Sequence, residues 1–406
     1  MRRRLARFSA AVLSLCAATQ ASDACATPLV QGSSGYDGGA PASDTVAAMV
    51  LGPGNGLDSA FDWWNAWKAD NDIPVNMGGY HWFHVNNDGP YPTGYGIPGI
   101  RGTYFYYLQL DPQAKTGSEA VPDVGVHVDF RFRDSSEPLR PFYDNPYWTQ
   151  ELYGWIDTGF GRIKLGQIWK RFGLDWDNSW WGSVPYFDAF KANPDYGMSW
   201  ERHGTISKNL QLDSYVQYYA AEDGVNGSVV GSDPESVRGA KVRNGGVVRL
   251  VPTWTFADSS SLAVGASFLA RELFGVTPGG GDNTQEAFGV DVNYTKNPFN
   301  IFGEALRSYG VVNPVRYVSG GPSDRISDFL AGASYQYGPM TFRLSWSAGF
   351  DEHPSGHQYL WIPGITWTLT KNLNLYTEYV RWDVTRATGQ HLTAEDGGEL
   401  VLYWHL

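Results

Sequence analysis

The residues with the most evident chemistry in this chain lie between Gly173 and Tyr196. The stretch sets the carboxylates Asp175, Asp177, Asp188 and Asp195 beside the flat rings of Trp176, Trp180, Trp181, Tyr186 and Phe187. Carboxylates gathered in one segment attract cations or accept hydrogen bonds from hydroxyl groups. The rings either stack on the faces of sugar-like solutes or bury against a wall and pin the segment. Bond-breaking chemistry is harder to find. No H-E-x-x-H, G-x-S-x-G or Walker sequence occurs. His81 and His84 stand an odd number of positions apart in a strand-like segment, so they face opposite sides. Asp351, Glu352, His353 and His357 could hold a metal, although a solvated loop is the simpler reading. The expectation is no catalytic residue, no cofactor and no metal.

The elements that must position residues 173–196 read as strands. Val124, Val126, Val128, Phe130 and Phe132 interleave with Gly125, His127, Asp129, Arg131 and Arg133. Phe342, Leu344, Trp346 and Ala348 interleave with Thr341, Arg343, Ser345 and Ser347. The chain closes with Leu400, Leu402, Trp404 and Leu406 on one face and Glu399, Val401, Tyr403 and His405 on the other. Strict period-two alternation suits a wall with lipid on one side and water on the other. Tight turns at 159–161, 207, 258–259, 296–298, 338–339 and 371 alternate with longer loops at 173–196, 223–242, 274–282, 313–324, 352–356 and 386–394. Transmembrane barrels have that asymmetry. The spacing predicts sixteen strands, near 76–86, 101–111, 122–133, 147–158, 161–172, 197–205, 208–222, 243–257, 259–273, 283–296, 298–312, 325–338, 339–351, 357–370, 372–385 and 395–406. The predicted fold class is therefore all-β: an antiparallel up-and-down transmembrane barrel preceded by a short helical segment. Trp254, Phe256, Tyr294, Phe299, Tyr337, Phe342, Trp367 and Trp404 all fall beside a short turn or the C-terminus on the outward parity. That is the pattern of an aromatic girdle at one membrane interface.

Residues 1–26 read as a secretory signal, with Arg2, Arg3, Arg4 and Arg7 before a short apolar run and Ala24-Cys25-Ala26 as the cleavage site. Cleavage there leaves no cysteine, hence no disulfide. In residues 27–75, Leu57, Phe61, Trp64 and Trp67 have helical spacing. Residues 76–406 form the barrel domain. No run of about 20 apolar residues follows the leader, so no transmembrane helix is expected. The net charge of −12 argues against nucleic acid as a partner.

With these features the chain resembles the porins of the Gram-negative outer membrane. The hairpin Trp155-Ile-Asp-Thr-Gly-Phe-Gly-Arg-Ile-Lys-Leu-Gly-Gln-Ile-Trp-Lys170 is similar to the porin segment that precedes the constriction loop. The resemblance extends more faintly to the sugar-selective members. It departs at Leu406, where the family usually ends on Phe. The resemblance implies a passive channel for small hydrophilic solutes, including carbohydrates. It implies that Asp175, Trp176, Asp177, Trp180, Trp181, Tyr186 and Asp188 belong to a third external loop folded into the pore. The lumen wall would carry His127, Asp129, Arg131, Arg133, Lys164, Asp213, Arg249, Arg343 and Glu378. The implied partners are outer-membrane lipid, solutes or ions, and the barrel assembly machinery acting on the last strand. Trimers are usual in the family and monomers common among sugar-selective members. A barrel enzyme acting on lipid and a surface adhesion barrel remain as alternatives. The detergent-solubilised protein should give a β-dominated circular dichroism spectrum that persists until boiling, because a closed sheet has no free edge; a helix-dominated spectrum would end this reading.

Overall fold

The computed structural model describes residues 66–68, 73–86, 100–115, 121–133, 147–174, 179–180, 182–184, 194–221, 241–274, 283–310, 325–352, 355–386 and 388–406. Several expectations lie outside these residues: the leader 1–26, the helix-like stretch apart from Ala66–Lys68, and Asp175, Trp176, Asp177, Trp181, Tyr186 and Asp188. The side chain of Arg133 lies outside them too.

The strands are β1 (Val75–Asn86), β2 (Ile100–Leu110), β3 (Gln113–Ala114), β4 (Val124–Arg133), β5 (Tyr147–Thr158), β6 (Gly161–Ile168), β7 (Asp195–Ser207), β8 (Leu210–Ala221) and β9 (Lys241–Thr255). They continue as β10 (Ser261–Phe274), β11 (Asn283–Lys296), β12 (Phe299–Tyr309), β13 (Arg325–Tyr337), β14 (Met340–Glu352), β15 (Ser355–Thr370), β16 (Leu373–Thr385) and β17 (His391–His405). β3 is a two-residue piece beside β4, in the connection between the strands expected at 101–111 and 122–133. The other sixteen pair antiparallel with their sequence neighbours, and β1 pairs with β17, so the sheet closes on itself.

Opposed residues show the stagger that closure requires. From Leu373, near the start of β16, the partners run through Trp404, Gly79, Tyr106 and Phe132 to Tyr147. That path climbs from the short-turn end of the barrel to the opposite end, as tilted strands must.

Strand boundaries shift by a few residues, and three of the shifts change a connection. β6 ends at Ile168 rather than 172, because the chain leaves the wall there. Only two positions separate Glu352 from Ser355, so the connection expected to be a long loop is tight. β17 begins at His391 rather than 395, which shortens the preceding loop.

Alternation sets the faces. Val124, Val126 and Phe132 are exposed on the outside, while His127, Asp129 and Arg131 are buried on the inside. The inner face is not uniformly polar, however. Leu269, Ala287, Leu306 and Ile326 point inward from β10 to β13, as do Leu360, Ile362, Val380 and Val384 from β15 and β16. A strand apolar on both faces must be covered on both faces, and something inside the barrel covers these.

At the tight turn between β9 and β10, Ser259 takes φ 63°. The Asp258 carboxylate accepts hydrogen bonds from Ser260 N (3.1 Å) and Ser260 Oγ (2.6 Å). Lys296 Nζ lies 2.8 Å from Asp258 Oδ2. The Lys296 ammonium and these Ser260 bonds hold the Asp258 carboxyl well below the usual carboxylate range.

The seam is tied by Leu406 N to Met77 O at 2.7 Å and Met77 N to Leu406 O at 3.1 Å. His84 of β1 bridges Glu399 (Nδ1, 3.1 Å) and Glu395 (Nε2, 3.0 Å) of β17. Removing Leu406 together with Trp404→Ala strips this tie and two outward apolar side chains. Each fully buried side chain of that kind contributes about 1.5–3 kcal/mol. The folded, heat-modifiable band on unheated gels should weaken; an unchanged band would show that the seam does not depend on them.

Candidate functional site: a loop folded across the barrel interior

After Ile168 the chain turns into the barrel, and its entry and exit are clamped together. Lys170 Nζ lies 3.0 Å from Asp195 Oδ2, with both side chains buried. Trp169 N donates to Glu151 Oε1 at 3.0 Å, while Gln217 Nε2 (3.0 Å) and Tyr219 Oη (3.1 Å) donate to Trp169 O. Arg171 N donates to Gln217 Oε1 at 2.7 Å.

Beyond this base the loop crosses the interior by giving its backbone amides to the wall. Gly173 N donates to Ser267 Oγ of β10 at 3.1 Å, and Leu174 N to Glu304 Oε1 of β12 at 3.0 Å. Trp180 N donates to both carboxylate oxygens of Glu378 on β16, each at 3.0 Å, and Val184 N to Ser347 Oγ of β14 at 3.0 Å. Backbone N–H groups away from water need acceptors, and the wall supplies one at each of these points.

Apolar packing follows the same path. Phe172 packs with Tyr219, Val247, Leu269, Ala287, Leu306 and Ile326; Leu174 packs with Phe302 and Leu330. Val184 packs with Leu360, Ile362, Val380, Trp382 and Val384. Gly349 makes room for it, since a Cβ there would stand 2.8 Å from Val184 Cγ1. The inward apolar residues of β9 to β16 are thus the seat of the loop. Sequence reading missed them by assuming a wet inner face. The signal was present in Tyr359-Leu-Trp-Ile-Pro-Gly-Ile-Thr-Trp367, which is apolar on both parities.

Trp180 is 8% exposed. Its ring centroid lies 4.9 Å from that of Tyr376, 5.0 Å from Tyr80 and 5.5 Å from Tyr403. Of the two roles open to these rings, Trp180 takes the second: it is an anchor seated among tyrosines of the wall. The cause is local. The Glu378 carboxylate fixes the Trp180 amide, and Tyr376, two residues away on the same face of β16, receives the ring.

Among the described side chains, the wall residues expected to face inward do so, but as pairs. Arg131 binds Asp129 (Nη2–Oδ2, 2.7 Å) and lies over the Phe105 ring. Lys164 Nζ is 2.9 Å from Glu201 Oε2, Arg249 Nη1 2.5 Å from Asp291 Oδ2, and Arg343 Nη2 2.9 Å from Glu378 Oε1. His127 Nδ1 is 2.5 Å from Asp111 Oδ1, with its ring stacked on Tyr153 at 4.9 Å; His203 Nδ1 is 2.7 Å from Asp213 Oδ1. Glu201, Asp111, His203 and the joining of His84 to Glu395 and Glu399 were not singled out from sequence, because strand parity gives a side chain's face and not its cross-strand neighbour. Each matched pair has little field of its own.

Trp254, Phe256, Phe299, Tyr337, Phe342 and Trp367 are exposed on the outer face; Tyr294 and Trp404 are half-buried. The described members of the Asp351–His357 stretch are not gathered. Asp351 is buried on the inner face, Glu352 pairs with Arg307, His357 lies tilted against Tyr359 and Phe350 outside, and His353 lies outside the described residues. Among the described residues no group of three or more His, Cys, Asp or Glu side chains is placed to hold a metal.

No protein-family model matches the chain, and no curated protein sequence matches it. Solved structures do match. OmpF of Salmonella typhi, in a complex with daunomycin, has a TM-score of 0.60 at 12% identity over 83% of this chain and 99% of its own. An outer membrane protein of Vibrio cholerae, OmpT in its trimer form, has 0.57 at 13% identity over 82% and 99%. The outer membrane channel DcaP of Acinetobacter baumannii has 0.55 at 12% identity over 82% and 97%. The chain therefore has the fold of the outer-membrane porins, a closed barrel of sixteen long antiparallel strands.

The anchors separate by substitution. Trp180→Ala removes ring pairs worth about 0.5–1.5 kcal/mol each beyond burial, and Glu378→Ala removes the amide acceptor. Both should increase protease cleavage within residues 173–196 in detergent. Glu378→Gln keeps one acceptor oxygen and should be cleaved less than Glu378→Ala; equal protection of all three and the parent would show that these contacts do not hold the loop.

Proposed function

We propose that this protein is a passive outer-membrane channel for small hydrophilic solutes, among them carbohydrates, with no enzymatic activity. What supports this reading most directly is the loop that leaves β6 and crosses the interior of a sixteen-stranded barrel. A barrel of that size otherwise leaves an aqueous channel, so a loop fixed across it sets how wide the passage is. In this reading Asp175, Asp177 and Asp188 border the constriction and favour cations. The paired wall residues Arg131, Lys164, Arg249 and Arg343 shape the water-filled surface without a strong preference of their own. The outward aromatics from Trp254 to Trp404 form the lipid-interface girdle. The barrel assembly machinery reads the closing strand, and the barrels associate as a homotrimer. The driving force is the solute gradient, and no cofactor takes part.

Purified protein added to a planar lipid bilayer should give stepwise current increases. A barrel that inserts but passes no ions would overturn the channel reading in favour of a barrel enzyme or an adhesion protein. Replacing Asp175 and Asp177 together by Asn should lower cation preference by up to about five-fold, the effect of about 1 kcal/mol from a unit charge about 4 Å from a cation in water. Liposome swelling with sugars of graded size should be unchanged in that variant, because Asn and Asp are nearly equal in volume. Unaltered ion preference would place the constriction elsewhere.

A further inference from the structure

His127 of β4 is buried on the inner face with only one ring nitrogen hydrogen-bonded. Nδ1 stands 2.5 Å from Asp111 Oδ1, in the connection that follows β2. A carboxylate only accepts, so Nδ1 carries the proton of the neutral imidazole and Nε2 is left as a lone pair. Nε2 has no hydrogen-bond partner among the described residues. It faces Glu151 Oε2 of β5 across 3.9 Å, beyond hydrogen-bond range. Glu151 is the carboxylate whose other oxygen accepts from Trp169 N, the first residue after β6. One imidazole therefore stands between Asp111, whose side chain is 26% exposed and open to solvent, and the buried carboxylate at the base of the crossing loop. Other charges beside it are matched. Asp129 on β4 pairs with Arg131, and Lys164 of β6 lies over the Tyr153 ring and pairs with Glu201 of β7. Tyr153 of β5 stacks on the imidazole, Arg171 of the loop base lies within electrostatic reach of Tyr153, and β2 contributes the neutral Gln109 opposite Asp129.

We propose that His127 is a proton-binding site that sets how firmly the loop is held at its base. The inference needs only the loop inside the barrel, not the passage of a solute. Without a proton on Nε2, a lone pair meets a carboxylate, and neither can donate. A proton from solvent, entering beside Asp111, adds to that lone pair; no bond breaks, and the ring becomes a donor at both nitrogens. Nε2–H then donates to Glu151 Oε2. A charge-assisted bond of this kind spans about 2.7–2.9 Å, so imidazole and carboxylate close by about 1 Å. Glu151 is thereby tied at both oxygens, one to His127 and one to Trp169 N, and the loop base is linked through the ring to the connection after β2. The hold is complete at low pH, where the second proton is bound, and is lost as the pH rises and that proton leaves. Imidazole is the side chain that ordinarily makes this change near neutrality. His203 differs: it pairs with Asp213 between β7 and β8, and its side chain is 40% exposed.

The test is limited proteolysis within residues 173–196 of the detergent-solubilised barrel, with rates normalised to an unfolded substrate cleaved at the same pH. Cleavage should be several-fold slower at about pH 5 than at about pH 8, the span over which an imidazole changes charge. His127→Gln can still donate to Asp111 but gains no second proton, and should give one normalised rate at both. Glu151→Gln offers an amide N–H to the Nε2 lone pair while its oxygen still accepts from Trp169 N, so it should already be slow at the higher pH. His203→Gln should keep the pH dependence of the parent. The heat-modifiable band on unheated gels reports that each variant is folded; if His127→Gln does not fold, Glu151→Gln at the higher pH decides alone. A parent rate that ignores pH, a pH dependence that survives in His127→Gln or disappears in His203→Gln, or fast cleavage of Glu151→Gln at the higher pH would overturn the proposal. The expected pattern in a barrel that passes no current would support this site while removing the channel reading.

Discussion

The hydrogen-bond ladder between β1 and β17 is the constraint on which everything else here depends. In hydrocarbon every backbone N–H and C=O must be satisfied within the protein, and a sheet achieves that only if its first and last strands pair. Closure fixes the stagger, the stagger fixes the tilt, and the tilt fixes how wide an interior the strands enclose. His84, bridging Glu395 and Glu399 inside, and the Leu406–Met77 pair at the short-turn end lie directly on this seam. Once closed, the sheet leaves an interior that side chains of the wall alone do not fill, and a segment of chain can enter it.

That segment obeys the same rule as the wall. A loop running through the interior exposes backbone amides to a confined space, and each needs an acceptor. Ser267, Glu304, Ser347 and Glu378 provide them from four different strands, and the Lys170–Asp195 pair holds the two ends of the loop together. Glu304 and Glu378 therefore serve as hydrogen-bond acceptors for the loop as much as charges for the lumen. Because Glu378 also pairs with Arg343, the loop, the wall and the local field are linked through one carboxylate.

Much of this was legible in the residues. Alternation located all sixteen long strands, most of them within a few residues, because a wall between lipid and an interior rewards period-two patterning along its whole length. The inward direction of Asp129, Arg131, Lys164, Arg249 and Glu378 followed from the same parity. Legibility failed where parity has nothing to say. In sequence Trp180 reads equally as a stacking ring or a packing one, and only the approach of Tyr80, Tyr376 and Tyr403 from three strands makes it an anchor. The pairing of Lys164 with Glu201, or Arg249 with Asp291, depends on register between strands.

By itself, then, the sequence determined the class of fold, the number of long strands and the face each side chain occupies, since these follow from periodicity and turn chemistry along one dimension. Tertiary structure decided what lies across from what. It placed the loop on an apolar seat inside the barrel, matched the lumen charges into pairs, and dispersed the Asp351–His357 cluster to opposite faces. It also set His127 between Asp111 and Glu151. Most such neighbours are separated by tens to hundreds of residues in the chain, and the register of the closed sheet brings them within a few ångströms.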